Sequence, residues 1–111
     1  MLIEIFGDYP QIRVIETLLT NPRTEYTKKD MASIAGVSRA TLYTFWQNLE
    51  KHRIIKPVRR IANSRLYSLD LESDIVQKLN KLTRPEAKIQ RDEFKSLEEE
   101  KRGIEEFLES L

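Results

Sequence analysis

Apolar residues recur at helical spacing along most of this chain, and at strand spacing in one stretch near its middle. Leu2 to Phe6 is rich in β-branched and aromatic side chains and reads as a short strand or extended arm, broken by Gly7. Asp8-Tyr9-Pro10-Gln11 has the order of a helix start, with Asp8 as the cap and proline in the first turn. Ile12, Ile15, Leu18 and Leu19, with Val14 beside them, then form one helical stripe that Asn21-Pro22 closes. Thr24 to Tyr26 leans towards an edge strand. Met31, Ile34 and Ala35 share one helix face, and Leu42, Phe45, Trp46 and Leu49 share another. Two runs, Ile54 to Ile61 and Arg65 to Leu69, flank the turn cluster Ala62-Asn63-Ser64 and predict a β-hairpin. Ser73 opens a further helix carrying Ile75, Val76, Leu79 and Leu82, and a long helix over 85–111 ends the chain.

Thr27 to Leu49 is the most sharply specified stretch. Thr27 caps a helix from about Lys28 to Ala35, with Asp30 at the box position. Gly36 stops that helix, because glycine reaches left-handed backbone angles without steric cost. Ser38 caps a second helix, Arg39 to Lys51, and Val37 plugs the angle between the two. The spacing of Trp46 from Leu42 and Leu49 places it in the core rather than in a stacking role. The opposite face of the second helix carries Arg39, Ala40, Tyr43, Thr44 and Gln47. An ordinary helical hairpin with a polar face has some of these features. The capping box, the Ala-Gly-Val-Ser turn and the amphipathic second helix together favour a helix-turn-helix with Arg39 to Lys51 as the recognition helix.

The charge distribution sharpens this picture. The net charge of the 111-residue chain is only +1. Yet Arg23 to Tyr67 holds 10 basic and 3 acidic residues, a net of +7, while 85–111 holds 5 basic and 9 acidic, a net of −4. A basic block within a near-neutral chain points to a polyanionic partner. With no cysteine and one histidine, His52, the sequence offers neither a disulfide framework nor a transition-metal site. It contains no Gly-rich phosphate loop and no nucleophile–histidine arrangement, so an enzyme is not expected. Nothing calls for a cofactor, and no small-molecule ligand is evident. No signal peptide and no run of about 18 apolar residues is visible, so the expected location is cytoplasmic, away from membranes.

Taken in order, these elements predict a fold that is mainly α with a small β-hairpin wing. The chain resembles a winged helix-turn-helix domain, and more narrowly the small archaeal transcriptional regulators related to the ArsR and MarR families. The matching residues are Phe6-Gly7-Asp8 with Pro10 and Arg13-Val14-Ile15, then Ile34 to Arg39, Thr41-Leu42-Tyr43, Leu49-Glu50, Ile54 to Pro57 and Arg65 to Leu69. The likeness spans roughly residues 6–82. Such domains commonly carry glycine where this chain has Arg53, so the angle between wing and recognition helix is open at this point.

In a winged helix the second helix of the pair enters the major groove. Arg39 would donate two hydrogen bonds to guanine, Gln47 would pair with an adenine edge and Thr44 would meet a thymine methyl or a phosphate. Ser38 and Ala40 lie where the helix approaches the duplex closely. Tyr43 would bond a phosphate or pack on the preceding helix. Thr27, Lys28 and Lys29 open a helix whose N-terminus favours a phosphate. Arg59, Arg60, Asn63, Ser64 and Arg65 would form a wing contacting phosphates or the minor groove. A basic hairpin that merely protects a sheet edge is the alternative.

Two units are expected: a DNA-binding domain over 1–84 and a dimerisation helix over 85–111. Read in heptads, Phe94, Leu97, Ile104, Leu108 and Leu111, widened by Phe107, form an apolar stripe that a second copy would cover, the alternative being that the helix folds back on its own domain. The functional expectation is sequence-specific double-stranded DNA binding by a homodimeric transcriptional regulator. A winged-helix module that binds protein, or a DNA partition or architectural protein, would use a similar surface.

Overall fold

The computed structural model describes residues 2–83 and 101–111. Its element order is α1 (Leu2–Phe6), α2 (Pro10–Thr20), α3 (Lys28–Ala35), α4 (Arg39–Lys51), β1 (Ile55–Ile61), β2 (Ser64–Leu69), α5 (Asp74–Thr83) and a terminal helix, α6, over 101–109. This is a winged helix-turn-helix fold: α3 and α4 are the helical pair, and the antiparallel β1–β2 hairpin is the wing.

Local chemistry accounts for the boundaries of α3 and α4. Thr27 accepts a hydrogen bond from the Asp30 N–H at 3.1 Å, and Ser38 accepts one from the Thr41 N–H at 3.1 Å. Both helices also end alike. After α3, Gly36 adopts φ 69° while the Val37 N–H bonds to the Ala32 carbonyl at 2.9 Å. After α4, Arg53 adopts φ 60° while the Ile54 N–H bonds to the Leu49 carbonyl at 2.9 Å. These are paired Schellman endings, and at Arg53 a side chain occupies the left-handed position, which costs on the order of 1–2 kcal/mol. The expected departure from glycine therefore leaves the turn geometry intact and stores strain in it. The Arg53 guanidinium lies 3.5 Å from the carboxylate of Asp70, at the end of the wing.

One hydrophobic cluster joins all the helices and the base of the wing. Trp46, Phe45, Leu42 and Leu49 of α4 are at most 1% exposed, and Trp46 meets Tyr67 of β2 edge-on with centroids 5.1 Å apart. Among the described residues, no helix is long and apolar enough to cross a membrane.

Several expectations are corrected. Leu2 to Phe6 is a helix, not a strand: Leu2 is fully buried and its N–H bonds to Glu16 of α2, so tertiary packing overrides the β propensity. Asp8 does not cap α2; the capping position is Tyr9, without a side-chain bond. Asp8 instead takes two hydrogen bonds from the Arg13 guanidinium at 2.5 and 2.8 Å, which hold its carboxyl below the usual carboxylate range. Arg13 also donates to the Gly36 carbonyl at 3.2 Å, tying the start of α2 to the turn between α3 and α4. Ile34, expected in the core, is 60% exposed. The edge strand at Thr24 to Tyr26 is reduced to one bridge, Tyr26 to Tyr67.

The terminal helix meets the core of its own chain. Ile104 is 1% exposed within a single chain, and Phe107, Leu108 and Leu111 pack against the same core. Phe107 stands edge-on to His52 at 4.7 Å, and Asn48 of α4 donates to the Leu111 carbonyl at 3.1 Å. In the later half of the heptad stripe, Ile104 is thus buried within its own chain, while Phe107, Leu108 and Leu111 are half-buried against the same core. Phe94 and Leu97 lie outside the described residues.

Candidate nucleic-acid interface

The outward face of α4 is the simplest part of the site. Its buried stripe turns Arg39, Ala40, Tyr43, Thr44 and Gln47 to solvent, and all five are exposed. Ser38 sits just ahead of Arg39, its hydroxyl engaged with Thr41 through the capping bond and a 2.8 Å contact to the Thr41 hydroxyl. Thr44 donates its hydroxyl proton to the Thr41 carbonyl at 2.6 Å, which leaves its oxygen free to accept. Arg39 heads the first turn, where a helix lying in a groove meets base edges.

Beside this face opens a cleft of about 520 Å³, lined by Thr27, Lys28, Lys29, Tyr43, Arg60, Asn63, Ser64, Arg65 and Tyr67. It gathers the start of α3, one residue of α4 and the tip of the wing. Hydrophobic packing does not require four cations around one concavity; a polyanion would balance them. The register sharpens the point, since Arg60 stands directly across from Arg65 on the paired strand. Like charges opposite one another destabilise a hairpin, and here nothing acidic lines the cleft to relieve them. Lys28 holds its ammonium 5.4 Å from the ring centre of Tyr43 and 5.9 Å from that of Tyr67, so two aromatic rings steady the cation at the cleft wall. Tyr43 thus faces solvent and supports the preceding helix at once.

Arg59 separates from its neighbours. A bulge between Pro57 and Arg59 shifts the register, and Arg59 turns to the Glu25 carboxylate at 2.7 Å, outside the cleft lining. Two contributors are not apparent from the sequence. Tyr67, 6% exposed, belongs to the core by its strand alternation and also forms part of the cleft floor. Glu25 lies 34 residues from its arginine partner, beyond any local pattern.

No protein-family profile matches the chain, and no curated protein matches it. Among solved structures it is similar in fold to reduced HlyU from Vibrio cholerae, with a TM-score of 0.53 and 20% identity, covering 73% of this chain and 79% of that one. At that identity the likeness is one of fold.

Proposed function

We propose that the protein binds double-stranded DNA in a sequence-dependent manner and serves as a transcriptional regulator. The observation that carries this reading is the continuity of two surfaces. The exposed face of α4 runs into a cleft walled by Lys28, Lys29, Arg60 and Arg65. On a duplex, α4 occupies the major groove with Arg39 and Gln47 at base edges, while the cleft straddles the adjacent phosphates. Ala40 lets the helix come close, and the wing tip, Asn63 and Ser64, follows the backbone. Arg59, held by Glu25, contributes less than its neighbours. A protein-binding module would not need the opposed Arg60–Arg65 pair, which favours nucleic acid over that reading.

Homodimerisation belongs to the same proposal, resting on the heptad positions other than Ile104, which is buried within the chain; Phe107, Leu108 and Leu111 are half-buried there and keep apolar surface for a second copy.

Selection from a random duplex library tests both parts. The wild type is expected to enrich a defined motif. A dimer enriches a two-fold site with half-sites about 10–10.5 bp apart, and a monomer a single half-site. Arg39→Ala is expected to lose preference at one position, worth about 1–3 kcal/mol where the contact is bidentate. An unchanged motif for that variant would show that α4 presents a different face.

A further inference from the structure

A second groove, of about 360 Å³, lies between α1, the start of α2 and α6. It plays no part in the nucleic-acid interface, and its chemistry is the reverse. Its apolar walls come from Phe6, Tyr9, Ile12 and Leu108, and its charged wall from Glu105 and Glu109 on α6. Among the described residues, no lysine or arginine lines it.

Three features define what fits. The volume lies within the range of small-molecule sites. Tyr9 is 60% exposed and lines the groove beside Phe6 and Ile12. The carboxylates of Glu105 and Glu109, four residues apart on one helix, are only weakly neutralised. Lys101 stands 3.8 Å from Glu105, at the outer limit of an ion pair, and no ion pair to Glu109 occurs among the described residues. An aromatic face beside two carboxylates attracts a cation, and the apolar walls attract a hydrophobic body attached to it.

We infer that this groove binds an organic cation, a flat apolar body bearing one ammonium group. The inference rests on the groove alone and is independent of the DNA reading. A ligand seated there touches α1, α2 and α6 together, so it also fastens the terminal helix to the domain.

Isothermal titration of the full chain with 1-naphthylmethylammonium, and with the neutral isostere 1-naphthylmethanol, tests it. The wild type is expected to bind the ammonium saturably and about tenfold more tightly than the alcohol. The double variant Glu105→Gln with Glu109→Gln alters exposed or half-exposed side chains and keeps the helical circular-dichroism spectrum. It is expected to retain the alcohol's affinity and lose the discrimination. Three results overturn the inference: equal affinity for the two probes, no saturation of the wild type below millimolar concentration, or discrimination that survives in the double variant.

Discussion

Replacing Arg60 and Arg65 together by alanine is expected to stabilise the free protein and to weaken its hold on DNA. The two effects have one origin. Arg60 and Arg65 are cross-strand partners, and like charges at that spacing cost the hairpin on the order of 0.2–1 kcal/mol. Removing both should raise the thermal midpoint by a few degrees for a domain of this size. In the proposed complex the same pair, on the cleft wall, would face phosphates. Charge-assisted hydrogen bonds contribute about 1.5–3 kcal/mol each, so affinity for all sequences should fall at least about tenfold. The dependence of log affinity on log salt should also become shallower by about 2 per binding unit, since each lost phosphate contact removes about 0.9. A calorimetric melt and an anisotropy titration read the two halves. A variant that melts lower and binds as before would mean that the arginines serve the hairpin and not the ligand. Arg59→Ala is the internal comparison: its guanidinium is paired with Glu25, so a smaller loss of affinity is expected.

The largest effect on stability belongs to Trp46. Its side chain is 1% exposed, packs edge-on to Tyr67 and lies in the cluster that joins α4 to the wing. Truncating a buried tryptophan to alanine costs about 3–5 kcal/mol, against a total of about 5–15 kcal/mol for a small domain. Trp46→Ala is therefore expected to unfold at a much lower urea concentration than the wild type. Trp46→Phe should cost much less. The indole Nε1 is buried without a hydrogen-bond partner among the described residues. Removing an unsatisfied donor recovers about 1–3 kcal/mol, which offsets part of the cavity left behind. If Trp46→Ala unfolds with the midpoint of the wild type, the indole is not part of the core.

The helical pair was legible because its signals are local. Thr27, Ser38 and Gly36 determine where α3 and α4 begin and where α3 stops, and each acts within four residues of itself. The outward face of α4 followed directly, since four large apolar residues at helical spacing leave one side for everything else. Where expectation and structure part, the deciding contacts are distant in sequence. Leu2 to Phe6 has a strand's composition, and becomes helical because Leu2 is buried and bonded to Glu16 of α2. Asp8 looks like a cap until Arg13 and the Gly36 carbonyl are brought alongside. Arg59 and Arg60 look equivalent in a basic run, and a bulge together with Glu25 separates them. The stripe on the terminal helix announces that it needs a partner surface, but spacing alone is silent on whose. In the structure Ile104 finds that surface on its own chain. The groove beside it was invisible for the same reason: Phe6, Tyr9 and Glu105 meet only after the terminal helix has docked.

The central claim is that α4 and the basic cleft together form a surface for duplex DNA. It is met most directly by fluorescence anisotropy of the wild-type chain on a labelled duplex over a series of salt concentrations. If a dimer neutralises about 6–10 phosphates, log affinity falls linearly with log salt at a slope of about −5 to −9. A flat response, or no binding even at low salt, contradicts the claim.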